Sequence, residues 1–163
     1  AEAGEVIGSR DGLFYINEAT GMVKSFVKPV LTSDLILTIS FYQGEYYIGT
    51  YGGGMMVLNP ETLSLKYFSQ SDTELFQKGH IFCVKPDTKG NLWIGTSQGL
   101  FNYNGQTKQI KHFTSANSQL PEGNVYEVSF DSTGKGWIAT ETGMCIYDPA
   151  SQTCVPMFFL KDS

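Results

Sequence analysis

The sequence predicts an all-β fold of short antiparallel strands gathered into repeated four-stranded sheets. Three observations carry this reading. Asn91-Leu92-Trp93-Ile94-Gly95-Thr96 and Leu100-Phe101-Asn102-Tyr103 read as two strands around a glycine turn, and the pattern returns as Gly136-Trp137-Ile138-Ala139-Thr140 and Met144-Cys145-Ile146-Tyr147. The same hairpin can be traced four times along the chain, which marks an internal repeat. No stretch shows a helical period of apolar residues.

The elements follow in order from one anchor. Ile7-Gly8-Ser9, Ile48-Gly49-Thr50, Ile94-Gly95-Thr96 and Ile138-Ala139-Thr140 stand 41, 46 and 44 residues apart. Each closes a strand. A glycine and a large apolar residue then open the next strand: Gly12-Leu13, Gly54-Met55, Gly99-Leu100 and Gly143-Met144. Asn17, Asn59, Asn104 and Asp148 begin the next reversal, and nine residues on lies Phe26, Phe68, Phe113 or Met157 in a last strand. Upstream of the anchor, Asp34, His80 and Asn124 each precede Ile48, Ile94 and Ile138 by 14 residues and open an apolar run, the first strand of the unit. Gly44, Gly90 and Gly134 mark the turn that follows it. The first unit lacks this opening strand. The units span approximately 1–31, 32–77, 78–121 and 122–163 of a single domain.

Four strands every 40 to 45 residues is the period of a β-propeller blade. A lone four-stranded sheet leaves both faces wet, and packing blade on blade covers them. The expectation is a partial propeller of about four blades. Trp93 and Trp137 are expected to wedge between neighbouring blades; a platform for stacking a sugar is the alternative.

Bulk properties narrow the function. The 163 residues carry a formal net charge of −5, which argues against a nucleic-acid partner in this segment. Charged residues make up only 17% and aromatics 13%, with 18 glycines, so the chain is compact and turn-rich rather than disordered. No apolar run is long enough to span a bilayer. Ala1-Glu2-Ala3-Gly4-Glu5 lacks the basic and apolar regions of a signal peptide. Cys83, Cys145 and Cys154 have no spacing that suggests zinc, and no cofactor is expected.

Gly90-Asn91-Leu92-Trp93-Ile94-Gly95-Thr96, Gly99-Leu100, Leu120-Pro121-Glu122-Gly123-Asn124-Val125 and Gly49-Thr50-Tyr51-Gly52-Gly53-Gly54-Met55 resemble the two-component regulator propeller repeat. The resemblance covers essentially the whole chain. Val6 and Tyr47 stand where the family has tryptophan, and Ala139 where it has glycine. The resemblance implies a fragment of the periplasmic sensor region of a large bacterial signalling protein, of the hybrid two-component type found in gut Bacteroidetes, responding to plant or host glycans. It implies an oligosaccharide as ligand, and attachment to the membrane only through downstream parts. An arc of about four blades would expose two apolar faces, so self-association is expected.

Asp34, His80 and Asn124 share one repeat position and would line a ligand rim near the central opening; the alternative, as turn caps, is the stronger reading. The loops between second and third strands should open at the same end, with Arg10 and Tyr51 able to hydrogen-bond and stack with a sugar, or else serving as ordinary exposed turn residues. Cys145 and Cys154 flank the turn at Asp148-Pro149-Ala150-Ser151. A two-residue turn there would set them opposite one another, as a disulfide or, preferably, as two buried thiols.

Three function classes compete: a non-catalytic sensor fragment, a protein-interaction scaffold, and a propeller lyase. Catalysis would need a converging base and electrophile. Only His80, with Asp34 from a neighbouring blade, is placed to supply them, since His112 falls on an outermost strand.

Overall fold

The computed structural model describes residues 4–68 and 75–157. Ala1, Glu2 and Ala3 of the N-terminal stretch lie outside them. Among the described residues fifteen strands and one short helix follow in chain order. The first sheet is β1 (Glu5–Gly8), β2 (Leu13–Asn17) and β3 (Met22–Phe26), in sequential order. The second is β4 (Ile36–Tyr42), β5 (Glu45–Thr50), β6 (Met55–Leu58) and β7 (Leu65–Tyr67). After a single helical turn, α1 (Leu75–Lys78), the third is β8 (Ile81–Pro86), β9 (Asn91–Thr96), β10 (Gly99–Asn104) and β11 (Ile110–Phe113). The fourth is β12 (Val125–Phe130), β13 (Gly136–Thr140), β14 (Met144–Asp148) and β15 (Thr153–Met157). Every sheet is an antiparallel meander, the form of a propeller blade. The first blade starts at its second strand, as the repeat requires. The chain divides into two compact units, residues 1–84 and 85–163, with the division inside β8.

The turn chemistry is the repeat made physical. Asn17, Asn59, Asn104 and Asp148 each accept a loop N–H through their side-chain oxygen, from Thr20 (3.1 Å), Thr62 (2.9 Å), Thr107 (2.9 Å) and Ala150 (2.8 Å). Gly44, Gly90 and Gly134 take φ of 85, 78 and 84°, the left-handed region that a side chain would resist. The hydroxyl after each second strand clamps the next loop. Thr50, Thr96 and Thr140 donate to the carbonyls of Gly54 (2.9 Å), Gly99 (2.8 Å) and Gly143 (3.0 Å), and Ser9 to that of Gly12 (3.3 Å).

In the first unit, Leu13, Tyr15, Phe26, Leu31, Ile48, Met56 and Leu58 form one buried cluster that joins the first blade to the second. Gly49 permits close approach there, because a Cβ at that position would meet Ile81 Cγ2 at 2.7 Å and Thr38 Cγ2 at 2.6 Å. In the second unit Trp93, 3% exposed, lies against Tyr147 (ring centroids 4.7 Å) and Phe130 (5.9 Å) of the fourth blade. Its Nε1–H donates to Asp87 Oδ2 at 2.9 Å. Here the expected tryptophan wedge is present. Trp137, at the matching repeat position, is 39% exposed, and its expected wedge is not seen. Among the described residues no further sheet covers its face. The helix α1 is the departure from the all-strand reading. Four residues are too few to show a period, yet Phe76 is fully buried with its ring 5.2 Å from Phe68.

Candidate functional site

In the second and fourth blades the loop after the second strand lies beside the residue before the first strand. The Tyr51 N–H donates to the Leu35 carbonyl (3.0 Å) and Ser33 Oγ to the Tyr51 carbonyl (2.8 Å). In the fourth blade the Glu141 N–H donates to the Asn124 carbonyl (2.9 Å). The two sets of predicted site residues therefore share one end of their blades.

Within the first unit one pair of predicted residues meets. The rings of Tyr51 and His80 lie 4.0 Å apart at 37°, and His80 is backed by Phe82 at 6.2 Å. His80 Nδ1 is buried and has no hydrogen-bond partner. It looks toward Gly52, where an added Cβ would lie 3.9 Å from it. Tyr51 is 52% exposed and offers an outer aromatic surface. This pair can stack on a flat apolar face and hold one polar atom at the imidazole.

The other predicted residues do different work. Asp34 Oδ1 accepts from the Lys28 N–H (2.9 Å) and Oδ2 lies 3.7 Å from Lys28 Nζ, so its carboxylate ties down the segment ahead of β4. Asn124 Nδ2 donates to Tyr126 Oη (3.1 Å), and its N–H faces Glu141 Oε2 (3.4 Å). Arg10 is exposed between β1 and β2. Among the described residues no group of three or more His, Cys, Asp and Glu side chains is placed to hold a metal ion.

Cys145 and Cys154 are buried as separate thiols. The register pairs Tyr147 with Cys154 and Cys145 with Pro156, so the cysteines sit diagonally rather than directly opposite. The cause is the turn: Asp148 pairs with Thr153, leaving four loop residues in place of the two expected, with Gln152 at φ 55°. Phe101 likewise pairs with His112, and Met56 with Tyr67. The two thiols remain in hydrogen-bonding contact, and that contact, with burial second, raises the Cys145 thiol far above its ordinary value. Burial also raises the Tyr147 phenol, with Cys154, Asp87 and Asp148 adding to the shift.

The sequence reading passed over Asn102. Its Nδ2 is buried, without a hydrogen-bond partner, on a cavity of about 270 Å³ in the second unit.

Residues 76–98 match the family described as two component regulator propeller. The whole chain also overlays a solved structure, the extracellular domain of BT3049 from B. thetaiotaomicron, named as a hybrid two component system, with 27% identity and a TM-score of 0.70. Residues 76–98 are thus similar to the two component regulator propeller repeat, and the whole chain shares its fold with that extracellular domain. The matched segment of this propeller runs from α1 through β8 and β9 to the Thr96 clamp. A second similar structure is the extracellular domain of BT4673 from the same organism, covering 99% of the chain at 20% identity and a TM-score of 0.73, a likeness of fold. The propeller chain covers 21% of each of those two solved chains. No curated protein sequence matches it. No helix among the described residues is long and apolar enough to cross a membrane.

Proposed function

We propose that this propeller chain is a non-catalytic sensor segment of a two-component signalling protein, lying in the periplasm and contributing to recognition of an oligosaccharide. The observation that carries the sensor reading is the overlay of the whole chain on the extracellular domain of a protein named as a hybrid two component system. The site geometry favours recognition over reaction. Of the two imidazoles at the loop ends, His80 stacks on Tyr51 with Phe82 behind it and His112 Nε2 is engaged with the Gln98 carbonyl (2.7 Å), while the carboxylate that would have been the His80 companion, Asp34, is engaged by Lys28. Tyr51 above His80 supplies the kind of exposed ring on which a sugar face packs.

The repeat also indicates self-association. Trp137 pairs across the fourth sheet with Ile146, which pairs with Val155, and the Trp137 and Val155 ends of this row are 39% and 56% exposed. The matching residue of the third blade, Trp93, is covered by the next sheet. In the isolated chain a second copy is the occupant that supplies an equivalent sheet.

Calorimetric titration of the chain with a library of plant and host oligosaccharides tests the ligand class. Saturable heat with one or a few related glycans, weakened by Tyr51→Ala, supports the reading. A folded chain silent across the library removes the glycan from it and leaves the interaction scaffold.

A further inference from the structure

We infer that the cavity between the third and fourth blades, at the end that carries the Asp87 and Asn104 turns, is a binding site for a small organic carboxylate. Two independent observations lead there. The first is a break in the repeat. Trp93, Asn102 and Lys111 are paired in one row across the third sheet. The same row is Val6, Tyr15 and Lys24 in the first blade, Tyr47, Val57 and Lys66 in the second, and Trp137, Ile146 and Val155 in the fourth. Three blades thus place an aromatic or aliphatic side chain where the third places an amide, in a position whose neighbour, Trp93, is 3% exposed. Burying an amide N–H with no partner forfeits its hydration, so a fold indifferent to ligands gains nothing from Asn102.

The second observation is the state of the polar groups around it. Four acceptor side chains on this wall, Asp87, Asn91, Asn104 and Gln152, are already engaged. Asp87 takes donors on both oxygens: the N–H groups of Lys89 (2.9 Å) and Asn91 (2.8 Å) on Oδ1, and Asn91 Nδ2 (2.8 Å) and Trp93 Nε1 (2.9 Å) on Oδ2. Asn91 Oδ1 accepts from Asn104 Nδ2 (3.0 Å), Asn104 Oδ1 from the Gln106 and Thr107 N–H groups, and Gln152 Oε1 from Lys111 Nζ (3.0 Å). Against these stand donors still to be met: the buried Asn102 amide, and the further N–H directions of Lys111 and Lys89, which also line the cavity. Two ammonium groups stand against one carboxylate whose oxygens are both hydrogen-bonded. The site therefore asks for a ligand that brings acceptors and negative charge. A volume of about 270 Å³ suits a body of monosaccharide size rather than an extended chain, and the Trp93, Phe130 and Tyr147 walls favour one with an apolar face. A hexuronate has all three properties.

This site does not rest on the sensor reading, and the oligosaccharide screen can fail while it stands. The test is titration of the ¹⁵N-labelled chain with sodium glucuronate, and in parallel with glucose and inorganic phosphate, followed by the amide spectrum including the Asn102 side-chain NH₂ pair. The expected result is saturation by glucuronate with the Asn102 NH₂ resonances moving, and no saturation by glucose. Asn102→Leu, which restores an aliphatic residue to the row, should weaken binding by about tenfold or more while leaving the melting temperature unchanged or raised, since a hydrogen bond to a charged group is worth about 1.5–3 kcal/mol. Lys111→Ala should weaken it too and flatten its salt dependence. Failure of glucuronate to saturate, equal binding by phosphate or glucose, or unchanged binding by Asn102→Leu each overturns the assignment.

Discussion

The hydroxyl clamp after each second strand gives a graded stability test within one molecule. Thr50, fully buried, donates to the Gly54 carbonyl and accepts from the buried Gly53 N–H at 3.1 Å. Thr96 is equally buried, but the N–H it accepts, from Gln98 at 3.0 Å, belongs to an exposed residue. Thr140 is half-buried, accepting from Gly143 at 3.2 Å, and Ser9 makes its long 3.3 Å bond near the surface. Threonine to valine keeps the shape and deletes the hydroxyl. The carbonyls of Gly54 and Gly143 keep a backbone donor, from Thr50 (3.1 Å) and Thr140 (2.8 Å), so the cost falls mainly on the loop N–H left without an acceptor. That cost is about 1–3 kcal/mol where water cannot enter. Thr50→Val should therefore lose about 2–3 kcal/mol, Thr96→Val about 1–2, and Thr140→Val and Ser9→Ala about 1 or less. For a chain of this size each kcal/mol lowers Tm by about 2–4 °C. Urea unfolding followed by circular dichroism reads the series, and Thr50→Ser, which keeps the hydroxyl, should recover most of the loss. Equal costs at all four positions, or a neutral Thr50→Val, would refute the reasoning.

Two further outcomes are expected. The Tyr147 phenol is held above its ordinary value near 10 by burial first, then by Cys154, Asp87 and Asp148, so the folded state favours the neutral form. Its contribution is complete below about pH 10 and is lost as pH rises through the higher folded value. Tyr147→Phe should leave stability at pH 7 nearly unchanged and make it less sensitive to pH between about 9 and 11, as urea midpoints across that range would show. Light scattering after size exclusion should find a mass that rises with concentration, and Trp137→Lys should return the chain to monomer. A clean wild-type monomer at high concentration removes the paired-face account.

Much of the fold was legible because one device recurs in phase. Ile-Gly-Thr, the following glycine and the Asn or Asp of the next turn each have a local physical job, and each job is visible in the structure at all or nearly all copies. The cysteine register was not legible, because it depends on loop length. The turn after Asp148 closes over four residues with Gln152 in the left-handed region, which a non-glycine residue does not announce. The exposure of Trp137 was missed for another reason: its repeat position matches Trp93, and a local pattern does not say whether a neighbouring sheet is present. At the candidate site, the Tyr51 and His80 pairing followed from shared loop geometry, while Asp34 went to Lys28 through a contact between segments that no repeat position encodes. Asn102 carried a signal in the aligned units, as the one amide among Tyr15, Val57 and Ile146. That signal means something only once the Asn102 Nδ2 is known to be buried without a partner.

The central claim is that within each unit one blade hides its apolar face against the next. Single-tryptophan variants test it most directly. In Trp137→Phe the remaining Trp93 should emit as a buried indole and resist acrylamide. In Trp93→Phe the remaining Trp137 should be readily quenched at the lowest protein concentration and grow protected as concentration rises. Equal quenching of the two tryptophans in dilute monomer, or a Trp93 open to solvent, would contradict the stacking of blades on which the sensor reading is built.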